Sequence, residues 1–416
     1  MTEAANRDAR TASLALVVTL AIQAFTSLAA TTPAVLAPEL AEEMGISASW
    51  IGVFVGLVYA GAILSSIVSI GLMERYGAIR VSQACVILCA AGIAMVGSLP
   101  ASGPSLLAGA AILLGLGYGP ITPASSQILV RTTQPSQMAL MFSIKQTGVP
   151  VGAALAGALM PAVAIAVGWR AAAIAVGLTG VLIAIAAQST RRALDTDTKP
   201  GRALSVGAVV DWLRLVATSP ALAELATLSF AYASVQVCVL SFLVVYLHDT
   251  LQWSLVEAGL ALTATTVGGV FGRIGWGAVA DRVLTPRRVL TLIGFIASVC
   301  ALTLACATQE WPTAAVLSLV AVFGCTAIGW NGVLLAELAR HAPQGGAGAV
   351  TAAASVITFA GVVAGPPVFA ALAALTAGYR SGFVVLSLVS LGAAVAFHWH
   401  GPPRRMAVSE TPSTTA

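Results

Sequence analysis

Two basic side chains stand where a charge is costly. Arg273 interrupts AGLALTATTVGGVFGRIGWGAVA (Ala258–Ala280), otherwise apolar or small, and Lys145 sits in SIKQTGVPVG. A charge at the centre of a bilayer costs at least ~2.5–3.5 kcal/mol unless it is paired or wet. Arg273 lies eight residues before Asp281 and Lys145 nine after Ser136, so along a helix both lie ~12–13 Å in from one end of their runs. No carboxylate shares that depth: Glu224 is five residues into its run, Glu337 ends its run, and Glu257 is near the opposite end of the Arg273 run. Two cations without acid partners make a trap for an anion, whose charge would offset their desolvation. Gly148 and Gly152 beside Lys145, and Gly269 and Gly277 beside Arg273, allow close helix approach and leave room around each cation. The competing reading has Arg273 pairing with Glu337 or snorkelling to the boundary.

Other polar groups fall at similar depth and complete a candidate substrate cavity: Gln23, Tyr59, Tyr118, Gln146, Tyr232, Gln236 and Asn331 with its neighbour Trp330. Any one of these is more often a helix–helix hydrogen bond than a ligand contact. The four histidines lie at run ends or in connections, and neither HExxH nor GxSxG occurs. Catalysis would need a metal set or a nucleophile–base pair, so neither an enzyme nor a cofactor is expected. The six cysteines all lie inside apolar runs and read as small buried hydrophobes.

The elements that must hold these groups follow from composition. Of 416 residues, 58% are hydrophobic and only 9% charged, too few charges to cover a soluble protein of this size. Lipid permits only helices or closed barrels, and runs this long are helical. Twelve spans are expected: 12–36, 50–73, 79–99, 105–130, 137–161, 170–189, 219–247, 254–280, 288–308, 312–337, 348–376 and 380–400. With the N-terminus cytoplasmic, 16 of the 20 basic residues fall on that side, only Arg170 and Arg380 fall outside, and Lys145 and Arg273 fall within spans. That bias places both termini in the cytoplasm. The polar linker 190–218 separates an N-terminal half, 1–189, from a C-terminal half, 219–416.

The halves echo each other. GLMERYGAIR follows span two and GAVADRVLTPRR follows span eight, with Glu74 and Asp281 offset by 281 − 74 = 207. Arg131 and Arg340 differ by 209, Arg170 and Arg380 by 210, and Gly115 and Gly324 by 209. Four landmarks at nearly one offset mean two six-helix halves in parallel repeat. On these residues the chain resembles the major facilitator superfamily over essentially its full length. The resemblance implies gating clusters of Glu74, Arg75 and Arg131 in one half and Asp281, Arg282 and Arg340 in the other. In each, the carboxylate would cap a helix of the opposite half: Glu74 with Arg131 near Gly346 to Gly348, Asp281 with Arg340 at Ser136. Glu74 stands where aspartate is usual, Ile70 where the signature has glycine, and Ala111 where many proton-driven members carry arginine. The GR…G…ADR frame also resembles the oxalate/formate exchanger and monocarboxylate branch, which implies an anion ligand for Arg273.

The expectation is therefore an all-α membrane protein of twelve transmembrane helices in two pseudo-symmetric halves. It would move a small organic anion, a carboxylate, across a bacterial inner membrane by proton symport or anion exchange, working as a monomer, with no nucleic-acid partner. The alternative is a proton-driven exporter of hydrophobic or cationic compounds, which would want a membrane-embedded acid. The orientation is testable: in a cysteine-free background, a cysteine at Gln309 should react with an impermeant reagent added to intact cells, and one at Thr196 should not. The reverse pattern would overturn it.

Overall fold

The computed structural model describes residues 3–44, 50–98, 104–198, 206–376 and 378–399. The basic residues Lys199, Arg202, Arg404 and Arg405 lie outside the described residues. Those described form helices and no strand. Helices cover all twelve expected runs. Span one is Glu3–Val35, two Trp50–Tyr76, three Ala78–Ser98, six Trp169–Ala187, seven Pro220–Leu251 and eight Leu255–Arg282. Span nine is Pro286–Ala305, eleven Ala347–Leu375 and twelve Arg380–Trp399. Three spans are broken: four into Pro104–Tyr118 and Ile121–Thr132, five into Met138–Gln146 and Gly148–Val167, ten into Thr313–Ala327 and Asn331–His341. Eleven spans are long and apolar enough to cross a membrane. Span eight is the twelfth, made less apolar by its glycines, its threonines and Arg273.

The two halves repeat in packing as well as in sequence. Within the first, span one packs on five, two on four and three on six; within the second, seven packs on eleven, eight on ten and nine on twelve. Gly115 and Gly324 show how close these crossings are. A Cβ at Gly115 would lie 2.1 Å from the Val58 carbonyl oxygen, and one at Gly324 would lie 1.9 Å from that of Thr265. The contacted residues are themselves offset by 265 − 58 = 207. Two helices therefore cross backbone to backbone at equivalent points, which only glycine permits.

The linker departs from the expected polar connection. Val206–Thr218 is a helix that packs on spans seven, eleven and two, with Trp212, Leu213 and Val216 turned to the core. Apolar residues one turn apart supply a buried stripe. Gly346 lies against the Trp212 ring, so this helix underlies the start of span eleven. The end of the molecule carrying the linker is called here the linker face, the opposite end the far face.

The halves meet unequally along their length. Met138–Gln146 packs on spans eight and ten of the opposite half, whereas Gly148–Val167 packs chiefly on spans one and six of its own. Ser143 shows the seal: its side chain abuts Gly277 of span eight, and its backbone and side chain abut Gly332 of span ten. On the other side of the molecule Ile70 packs with Ala349 and Ala352 of span eleven. The halves thus close at the linker face and part toward the far face. Because a Cβ at Gly324 has no room, Gly324→Ala should lower the thermal unfolding midpoint in detergent, by the equivalent of about 1–3 kcal/mol. An unchanged midpoint would mean that the crossing is looser than it stands.

Candidate functional site

A cavity lies between the halves, at the level where spans four, five and ten break. Its wall is drawn from both halves and includes Tyr59, Tyr118, Gln146, Gln236, Arg273 and Asn331. No acidic side chain lines it among the described residues.

Arg273, only 1% exposed, reaches the cavity from span eight and neither pairs with Glu337 nor snorkels. Its Nε donates to the Ile328 carbonyl at 3.1 Å, and one terminal nitrogen donates to the Gln146 carbonyl. Both acceptors sit where a helix breaks. Pro150 has no N–H to return to the carbonyl four residues back, so Gln146 O is orphaned. Thr313–Ala327 ends next to Ile328, whose carbonyl also accepts from Asn331 Nδ2 at 3.3 Å. Each break presents the negative end of a helix dipole to the guanidinium, a favourable term of ~0.3–1 kcal/mol apiece. Gln146 belongs to the first half and Ile328 to the second, so Arg273 bridges the seam. Its second terminal nitrogen, Nη2, makes no hydrogen bond among the described residues. Glu337 instead pairs with Arg340 at 3.2 Å.

Lys145 is placed differently from the expectation of a second cation on the cavity wall. It is also 1% exposed, but it points back toward span one. Its Nζ donates to Gln23 Oε1 at 2.6 Å, Gln146 Oε1 at 3.1 Å and Thr122 Oγ1 at 3.5 Å. Three acceptors match the three donors of an ammonium, and neither Lys145 nor Gln23 lines the cavity. Tyr232 likewise does not line it: its hydroxyl donates to the Leu290 carbonyl at 2.7 Å and its ring stands edge-on to Trp330. Gln236 does line it and accepts from Trp330 Nε1 and Asn331 Nδ2, both at 3.1 Å.

Some wall residues were missed in the sequence. Thr122 follows Tyr118 by one turn, and Phe359 follows Ser355 by one turn in span eleven; all four line the cavity. For Thr122 the i, i+4 spacing from Tyr118, already placed, was the available signal. Pro150, which frees Gln146 O, was readable too.

At the linker face Asp281 ties the halves. Its carboxylate accepts from the Ala139 and Leu140 amides at 3.1 and 2.8 Å, at the start of span five, and meets Arg340 at 3.3 Å. The expected position was Ser136; the amides that Asp281 meets lie three and four residues farther along. The first half differs. Arg131 pairs with Asp197 of the linker at 2.5 Å, not with Glu74, and also donates to the Leu194 carbonyl. Gln127 donates to Asp197 at 2.7 Å, and Gln127 and Met73 abut Gly348 of span eleven. The linker thus brings its own carboxylate to the place foreseen for Glu74, which is half-buried in the last turn of span two. Arg75 lies over the Tyr76 ring at 5.2 Å, and Arg282 is exposed. A carboxylate on a helix N-terminus contributes ~0.3–1 kcal/mol. In a Ser143→Cys background, Asp281→Asn should therefore raise the thiol's labelling rate roughly two- to fivefold, as the seam opens more often. An unchanged rate would show that Asp281 does not hold the seam.

The Major Facilitator Superfamily profile matches residues 19–366. The chain is 24% identical over 386 residues to an uncharacterized MFS-type transporter of Mycobacterium tuberculosis (strain CDC 1551 / Oshkosh), covering 91% of this chain and 83% of the relative. Its fold is similar to that of the E. coli fucose:proton symporter FucP, at TM-score 0.71 and 15% identity, covering 94% of this chain and all of that one. A FucP structure in the outward conformation gives a TM-score of 0.73 at the same identity and coverage. The human organic anion transporter MFSD10 gives 0.70 at 16% identity, covering 94% and 99%. With twelve helices in paired halves closed by Asp281 and Arg340, the chain belongs to the major facilitator superfamily, a family of multi-pass membrane transporters.

Proposed function

We propose that the protein is a secondary active transporter that moves a small organic anion, a carboxylate, across a bacterial inner membrane by alternating access, as proton symport or anion exchange. Arg273 Nη2 carries this reading. A fixed cation faces a cavity without an acid, and one face of its guanidinium fork is uncommitted among the described residues. Carboxylate matches that fork, and binding would offset the cost of holding the charge away from water. A cation exporter would need the opposite wall: an acid where Arg273, Gln146 and Asn331 stand.

Under the positive-inside orientation the linker face is cytoplasmic, so the closed seam blocks the cytoplasmic side and the cavity opens outward. Lys145 acts from behind the wall. Gln146 connects it to Arg273: the side chain accepts from the lysine and the backbone carbonyl from the arginine.

The test is a thermal-shift screen of the purified protein against small carboxylates, inorganic anions and lipophilic cations, since a ligand of the native state raises its apparent stability by mass action. The best carboxylate should lose about tenfold or more in affinity on Arg273→Ala, the loss of a charge-assisted hydrogen bond. Arg273→Lys should restore only part of it, because an ammonium lacks the planar fork. A folded, monodisperse Arg273→Ala protein that binds anions like the parent overturns the reading, as does a screen that yields only cations.

A further inference from the structure

The cavity has a second wall of different chemistry. With Arg273, Gln146 and Asn331, three aromatic rings line the cavity: Tyr59 of span two, Tyr118 of span four and Phe359 of span eleven. Their centroids lie 5.7–6.3 Å apart, with Tyr59 edge-on to Tyr118 at 81° and Phe359 tilted by 49° and 51° to the two tyrosines. None of the three pairs is stacked, so ring faces remain for a further aromatic group, which prefers offset or edge-on partners at these distances. Two rings come from the first half and one from the second.

The tyrosine hydroxyls on this wall are not taken up by the protein's described residues. Tyr232 and Tyr246, which line no part of the cavity, each donate to a backbone carbonyl at 2.7 Å. That is how buried tyrosines are ordinarily satisfied. The hydroxyls of Tyr59 and Tyr118 have no hydrogen-bond partner among the described residues, and both side chains are only partly buried. A core contact between helices would leave neither so. Nor would a site for acetate or oxalate use this wall, since such anions carry no apolar body to set against it.

We infer that the transported anion is an aromatic carboxylate, its carboxylate on Arg273 and its ring among Tyr59, Tyr118 and Phe359. This rests on the anion reading above and narrows it. The ligand then touches both halves. Its carboxylate meets an arginine that already bridges Gln146 and Ile328, and its ring meets two aromatics of one half and one of the other. Ring contact across the seam lets the ligand favour one arrangement of the halves over another, as a transported substrate must.

The experiment is isothermal titration of the purified full-length protein with benzoate, cyclohexanecarboxylate, acetate, oxalate and benzylammonium separately. Benzoate should bind about tenfold or more tighter than acetate or oxalate, and several-fold tighter than cyclohexanecarboxylate, which has similar bulk without a π-face. Phe359→Ala should cost benzoate about tenfold and leave acetate unchanged; Phe359→Leu, which keeps an apolar side chain of similar size, should lower benzoate toward cyclohexanecarboxylate and serves if the alanine variant does not fold. Acetate, oxalate or cyclohexanecarboxylate binding as tightly as benzoate overturns the aromatic assignment while leaving the anion reading intact. Benzoate failing to bind, or losing no affinity in either Phe359 variant, overturns it as well. Benzylammonium binding more tightly than benzoate overturns the anion reading itself.

Discussion

The guanidinium of Arg273 is the constraint around which the centre of this molecule is arranged. A cation in a low-dielectric interior must be met by dipoles or counter-charge, and no acidic side chain lines the cavity among the described residues. Two helix breaks supply the dipoles. Pro150 frees the Gln146 carbonyl in span five, the interruption at Ile328 frees another in span ten, and Arg273 takes both. One acceptor belongs to each half, so the charge joins them only while they stand as they do. When the halves part at the linker face, Gln146 O moves with the first half and Arg273 with the second. On the proposed function, a bound carboxylate supplies the acceptor that this movement removes. The same residue would thereby bind the substrate and sense which face is closed.

Below this level the seal is made of small contacts, and its asymmetry has a covalent reason. Asp281 follows span eight directly and reaches the amides of span five without help. The first half runs on into the linker that joins it to the second. Asp195 of that linker accepts from the Ile79 and Arg80 amides at 2.8 and 3.1 Å, beside Gly77, whose φ of +93° turns the chain into span three. Burial pushes the Asp195 carboxyl up from its ordinary value against the opposing pull of those two amides. Anchored there, the linker carries Asp197 to Arg131. Duplicated halves with one extra connection need not make duplicate locks.

How much of this was legible follows the range of each interaction. The twelve spans and the two-half repeat depend on composition, periodicity and an offset, all of which lie along the chain; the pairing of Asp281 with Arg340 was only implied by the family resemblance. Arg273 stood out because its neighbours make its charge expensive. The partners of Lys145, Tyr232 and Gln23 did not stand out, because polar groups at equal depth satisfy one another in whatever direction helix rotation allows, and depth says nothing of rotation. Lys145 therefore turned to Gln23 rather than to the cavity. The Val206–Thr218 helix was hidden for another reason: it carries only two charges, Asp211 and Arg214, but its apolar run is too short to span and was taken with the polar linker before it. Asp197 in place of Glu74 required knowing the path of that linker.

A transporter must be able to leave each of its states, and the seam here is built at a strength that allows it. Ser143 against Gly277 and Gly332, and Ile70 against Ala349 and Ala352, are close contacts of small groups, individually weak in dispersion. The Asp281 cap is a charge–dipole contact of ~0.3–1 kcal/mol. Two carbonyl bonds to Arg273 cross or flank the seam at mid-depth, and the three rings meet across it beside the cavity. Beyond them toward the far face, span five turns to its own half. Differences of a few kcal/mol between states are what one ligand can reverse through its differential affinity. Leu129, Met138 and Phe142 of the first half also pack into the core of the second, so burial as well as small-residue crossings and the Asp281 cap hold the closed state. On the proposed function, the occupant of the space beside Arg273 shifts that balance.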